Sequence, residues 1–169
     1  MKRFEFTDDL LTGIEDIDNH HRRLLELGNL VIDPSAIKTD ALSFEDAIKF
    51  LTEYVIYHFA AEEDLMIESN YPYYEHHRQW HERFKQDIFN YANRAESEGI
   101  SKNIKLKVSF AIENWLLEHI RITDRTLAKY LQEQEDGAYA SLSGIRTLKD
   151  KGMLPETFNE RLSDATIAE

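Results

Sequence analysis

Histidines and carboxylates recur in this sequence at positions where a helix would bury them. His58-x-x-x-Glu62 and His77-x-x-x-His81 are i, i+4 pairs, so on a helix both members of each pair leave one face a turn apart and reach a common point. His21 and His119 lie in stretches with the same three-and-four spacing of apolar residues. Burying an unpaired imidazole or carboxylate costs several kcal/mol, and no Lys or Arg occupies these apolar seams to compensate it. A metal fills imidazole lone pairs and neutralises carboxylates together. Five imidazoles and at least one carboxylate exceed the four ligands of a tetrahedral zinc, and they are too rich in nitrogen for calcium or magnesium. Two iron ions bridged by carboxylates use such a set fully. A second bridging carboxylate is needed, and Asp124 is the candidate. Its spacing of five from His119 puts it about 140° around an ideal α-helix. Either the two straddle the metal pair from opposite sides of a seam, or the helix holds a π-bulge there.

The elements that must hold these residues are helices. With 6 Gly and 3 Pro in 169 residues, the chain is poor in the residues that make turns and hairpins. The first helical run follows Gly13 and stops at Asp33-Pro34, because the residue before proline resists the α region. The second opens near Ser43, an N-cap with Asp46 three residues on, and ends at Asn70-Tyr71-Pro72. The third runs from about Tyr73 to Gly99, and the fourth from behind Ser101 to the stretch between Gln132 and Gly137. Short connections make sequential helices antiparallel, giving an all-α, up-down-up-down four-helix bundle behind an N-terminal arm. The inward seams are Ile17, His21, Leu24, Gly28 and Val31; Ile48, Leu51, Val55, His58, Glu62 and Leu65; Tyr74, His77, His81, Phe84, Ile88, Tyr91 and Ala95; and Val108, Ile112, Trp115 and His119. Residues 1–133 form this bundle; 134–169, interrupted by Gly144, Gly152 and Pro155, form a C-terminal extension expected to be helical in short pieces. Ferritin-like di-iron bundles need two Glu-x-x-His motifs, and this chain has none.

Composition narrows the function classes. A net charge of −12 repels phosphate backbones and argues against nucleic-acid binding. Without Cys there is no disulfide framework and no thiolate metal site. The opening Met1-Lys2-Arg3-Phe4-Glu5 lacks the apolar core of a signal peptide, and no apolar run approaches the roughly 18 residues of a membrane helix. The expectation is a soluble, cytoplasmic protein, a monomer or small homo-oligomer, away from the membrane.

Several motifs together resemble the hemerythrin family: Thr12-Gly13-Ile14 with Ile17-Asp18-Asn19-His20-His21-x-x-Leu24; His58-Phe59-x-x-Glu62-Glu63; Tyr71-Pro72 with His77-x-x-x-His81-x-x-Phe84; and Trp115-Leu116-x-x-His119-Ile120-x-x-x-Asp124. The resemblance spans about residues 6–131. It implies that one iron takes His77, His81 and His119, the other His21 and His58, with Glu62, Asp124 and an oxo or hydroxo group as bridges. It also implies O2 as the partner, bound reversibly at the two-histidine iron, for oxygen transport, storage or sensing and not for catalysis. A dry pocket for O2 would be lined by Leu24, Phe59, Trp115 and Leu116. Alternatives are an oxygen or redox signalling module acting through a partner, and a di-iron peroxidase or nitric oxide scavenger. Bacterial members commonly carry Gln where this chain has His20. His21 lies in line with Ile17 and Leu24, whereas His20 is turned about 100° away, so His21 is the ligand and His20 is left for a contact behind it. His76 is displaced in the same way from His77 and His81 and is read as a surface residue.

Overall fold

The computed structural model describes residues 3–33, 44–99 and 101–134. These form an all-α bundle: α1 (Glu15–Ile32), α2 (Phe44–Glu68), α3 (Tyr74–Glu98) and a composite fourth helix. The fourth helix comprises α4 (Lys102–Ala111), α5 (Leu117–His119) and α6 (Arg125–Glu133), joined by π segments at Ile112–Leu116 and Ile120–Asp124. α1 packs on α2, α2 on α3 and α3 on α4, and α4 returns to α1, which closes the ring. No helix among the described residues is long and apolar enough to cross a membrane.

Local chemistry sets the ends. α2 stops in a Schellman arrangement: Asn70 takes φ 53°, the Tyr71 amide donates to the Met66 carbonyl at 2.8 Å and the Asn70 amide to Ile67 at 3.1 Å. Gly99, at φ 74°, follows α3. The Ser101 hydroxyl accepts from the Ile104 amide at 3.2 Å and caps α4. Before α1, Asp18 accepts from the Thr12 amide at 2.8 Å and the Thr12 hydroxyl at 2.7 Å, which ties down the turn around Gly13. Ser43, expected as the cap of α2, and residues 135–169, expected to be a helical extension, lie outside the described residues.

The core has two apolar layers. The larger includes Leu24, Leu51, Val55, Phe84, Ile88, Ile112 and Leu116. The smaller, toward the other end, includes Ile17, Leu65, Met66, Tyr71, Leu127 and Leu131. The fourth helix departs from the expected seam in one respect. Trp115 is half-buried, and Leu116 is fully buried in its place, between Ile112 and Ile120. The reason is the π segment at Ile112–Leu116, whose wider turn adds a residue and advances the inward register by one. The arm is anchored to α1 by a reciprocal pair, Phe4 amide to Asn29 Oδ1 at 2.7 Å and Asn29 Nδ2 to the Phe4 carbonyl at 2.8 Å.

Candidate metal centre

His21, His58, Glu62, His77, His81, His119 and Asp124 are all buried, and the fold brings them together from all four walls of the bundle. They fall into two groups of potential metal donors: Glu62, His77, His81, His119 and Asp124, and His21, His58, Glu62 and Asp124, each with donor atoms within 4.8 Å of one another. Glu62 and Asp124 belong to both.

The second π segment explains how Asp124 reaches the cluster. Ile120–Asp124 is a π turn, so residues five apart occupy one turn, and Asp124 Oδ1 comes to 2.9 Å from His119 Nε2. Of the two arrangements that the spacing leaves open, the helix adopts the bulge.

Each carboxylate divides its oxygens between the two sets of histidines. Glu62 Oε1 faces His21 at 3.9 Å and His58 at 3.8 Å, while Oε2 faces His81 at 3.2 Å and His77 at 3.7 Å. Asp124 Oδ2 lies 3.2 Å from His21, and Oδ1 lies 3.2 Å from His77 and 2.9 Å from His119. The Nε2 atoms of His77 and His81 each sit 3.1 Å from that of His119. Ligands at right angles on metal bonds of about 2.1 Å stand about 3 Å apart, so these separations fit donors around a shared ion. Orientation agrees. Among the described residues, both oxygens of Glu62 and Asp124 and both nitrogens of His21 and His58 have no hydrogen-bond partner, although acceptors and nitrogens stand within 4 Å. Buried polar atoms that converge without bonding one another are the mark of a cation site.

Electrostatics without a metal shows the same competition. Burial pushes His58 well below the ordinary imidazole range and lowers His119. For His77, burial opposes the cation, but Asp124 and Glu62 together outweigh it and carry the imidazole up to about 9. Burial and mutual repulsion favour protonated Glu62 and Asp124, yet the surrounding imidazoles hold both well below the usual carboxylate range.

Surrounding groups fix the inner ones. His81 Nδ1 stands 3.0 Å from Glu63 Oε1. A carboxylate can only accept, so Nδ1 carries the proton and Nε2 turns its lone pair to the cluster. Glu63 plays a part that the seam pattern does not single out: it lies one residue past Glu62, off the seam, and its partner is on another helix. Phe59 stacks flat on His81, centroids 3.9 Å apart and planes 1° apart. Trp115 stacks on His119 at 4.5 Å and 12°. Of the four pocket candidates, Phe59 and Trp115 therefore lie flat against the three-histidine set, and Phe59 also leans on His58 at 5.5 Å. Leu24 and Leu116 are fully buried in the larger apolar layer. His20 is buried against His58 at 5.6 Å, between Tyr54 and Tyr57, and burial lowers its imidazole to about 4. His76 is exposed.

The family model described as hemerythrin HHE cation binding domain matches residues 12–131. The chain is 31% identical over 152 residues to a bacteriohemerythrin of Pseudomonas paraeruginosa, covering 85% of this chain and 96% of that one. It is 32% identical over 159 residues to a bacteriohemerythrin of Stenotrophomonas maltophilia, covering 88% and 97%. A hemerythrin-like protein of Naegleria gruberi is 27% identical over 121 residues, covering 72% and 87%. No solved structure matches at a comparable level of significance.

Proposed function

The chain belongs to the hemerythrin family, and from that premise we propose that it binds O2 reversibly at a non-haem di-iron centre, for oxygen storage, delivery or sensing. The observation that carries this reading is the division of the carboxylates: Glu62 and Asp124 each turn one oxygen toward His21 or His58 and the other toward His77, His81 or His119. In this reading those seven side chains would hold two irons together with an oxo or hydroxo group. The two-histidine half has one imidazole fewer, and that asymmetry supports a vacant place for a small ligand on the side of His21 and His58. Reduced iron supplies the electrons by which O2 is held.

The protein's own residues keep the site ordered and dry. Glu63 holds the His81 proton on Nδ1. Phe59, Leu116 and Ile120, fully buried, fill the space around the histidines and exclude water. The arm closes over the second π segment: Arg121 donates to Asp9 at 2.6 Å, and Arg125 donates to the Asp9 carbonyl at 3.2 Å. We read the site as one for binding and not for turnover, because its donors are a closed, histidine-rich set. The reading extends to a cytoplasmic carrier, as a monomer or small homo-oligomer. The test is an oxygenation cycle. The iron-loaded chain is reduced without air, exposed to O2 and then purged, with its visible spectrum followed throughout. A band that appears with O2 and leaves on purging supports the reading; one-way oxidation in the first exposure rejects it.

A further inference from the structure

Trp115 and Trp80 connect the metal centre to the outside. His119, whose Nε2 faces Asp124, lies flat under the Trp115 indole, with centroids 4.5 Å and planes 12° apart. Trp115 in turn meets Trp80 of α3 at 6.3 Å, and Trp80 is 37% exposed. The Arg83 guanidinium lies 5.7 Å from the Trp80 ring, and Phe84 stacks on Trp115 at 4.3 Å. Indoles are among the most readily oxidised side chains, and both the stacked step from His119 to Trp115 and the tilted one, at 44°, from Trp115 to Trp80 are short for an electron. Phe84 is not oxidised in the same range, so it holds Trp115 in place without branching the route. A second aromatic group lies on the other half of the site, where His20 meets His58 nearly edge-on at 82°. That group ends in Tyr54 and Tyr57, both buried. On the three-histidine half an edge-on series also reaches the surface, since His77 meets Tyr71 at 6.3 Å and Tyr71 meets the exposed Tyr73 at 5.8 Å. Among the described residues, only the indole pair starts on a ring stacked flat on a histidine and ends on an exposed one.

We propose that Trp115 and Trp80 carry oxidising equivalents from the metal centre to the surface, so that a hydroperoxide reacting at the loaded centre is reduced at the expense of Trp80 and not of the buried histidines. This rests on the di-iron reading. The electron balance closes with hydrogen peroxide as oxidant. Trp80 gives up two electrons and two protons, and one solvent water adds its oxygen to the ring to leave a hydroxyindole. Hydrogen peroxide takes the two electrons and two protons and becomes two waters. The sum is one indole and one hydrogen peroxide giving one hydroxyindole and one water. The oxygen on Trp80 thus comes from solvent, whereas direct attack by peroxide would leave peroxide oxygen there.

The test uses the full chain, iron-loaded and iron-free, treated with one equivalent of hydrogen peroxide under argon in water enriched in heavy oxygen, then mapped by peptide mass spectrometry. The expected result is heavy oxygen on Trp80 in the iron-loaded chain and its loss in the iron-free one. Per iron bound, Trp115→Phe loses the label at Trp80 and Trp115→Tyr, which restores an oxidisable ring, recovers it. Equal labelling without iron, peroxide-derived oxygen on Trp80, or an undiminished label in Trp115→Phe overturns the proposal. A label confined to Tyr54 or Tyr57, or to Tyr71 or Tyr73, overturns it too, by assigning the exit to another series of rings. The oxygenation cycle on the same preparation separates the two readings: a chain that oxygenates reversibly but leaves Trp80 unlabelled contradicts the conduit alone, and one that takes up no iron contradicts both.

Discussion

Glu63 offers a sharp test of how the site is held, because it touches no other group of the cluster than His81. Its Oε1 lies 3.0 Å from His81 Nδ1, with Lys85 Nζ at 3.9 Å on the outer side. Glu63→Ala removes the acceptor that fixes which His81 nitrogen is protonated and how the ring is turned. Loss of such an outer partner costs about 10- to 100-fold in metal affinity. Glu63 is 18% exposed, so water replaces part of what is lost, which places the expected cost at the low end, about tenfold or 1.4 kcal/mol. Glu63→Gln keeps an oxygen acceptor but not the charge, and recovers about half of that free energy, leaving a loss of about threefold, since charge-assisted bonds are about twice as strong as neutral ones. The assay is iron retention against a graded chelator. The control is Glu82→Ala, which removes the other partner of Lys85 and leaves the His81–Glu63 bond in place. Unchanged retention in Glu63→Ala, or equal loss in Glu82→Ala, would refute the role given to this hydrogen bond.

Three further outcomes follow from the packing. Leu116→Asn places a polar group in the apolar layer beside His119 and should speed oxidation of the reduced, oxygenated protein, read as faster decay of its visible band in air; an unchanged rate removes Leu116 from the pocket. Gly28→Val should destabilise the fold by about 1–3 kcal/mol in urea unfolding, because a Cβ at Gly28 would stand 2.5 Å from Ile112 Cδ1, where α1 meets the fourth helix. A chain ending at Gln134 should load iron at the full-length stoichiometry, since none of the seven donors lies beyond Asp124; a folded truncation that binds no iron would put the extension inside the site.

Much of this arrangement is legible in the sequence because buried histidines on a helical period are rare without cause. His21, His58, Glu62, His77 and His81 lie on regular α-helices, where the three-and-four spacing translates directly into a shared face. The fourth helix is harder to read. Its two π segments break the period, so the seam passes through Leu116 and not Trp115, and Asp124 reaches the cluster by a turn that α-helical geometry does not supply. Glu63 escapes notice for another reason: its importance lies in a partner on α3, and a contact between helices leaves no periodic trace. The same is true of Asn29, whose bonds to the Phe4 backbone hold the arm.

Native mass spectrometry of the iron-loaded chain, read beside that of Glu62→Ala, decides whether the seven side chains hold a pair of irons with Glu62 and Asp124 between them. Two irons per chain are expected, and fewer when Glu62 is truncated, because a bridging carboxylate serves both halves. A single metal per wild-type chain, or two that persist undiminished in Glu62→Ala, would contradict it.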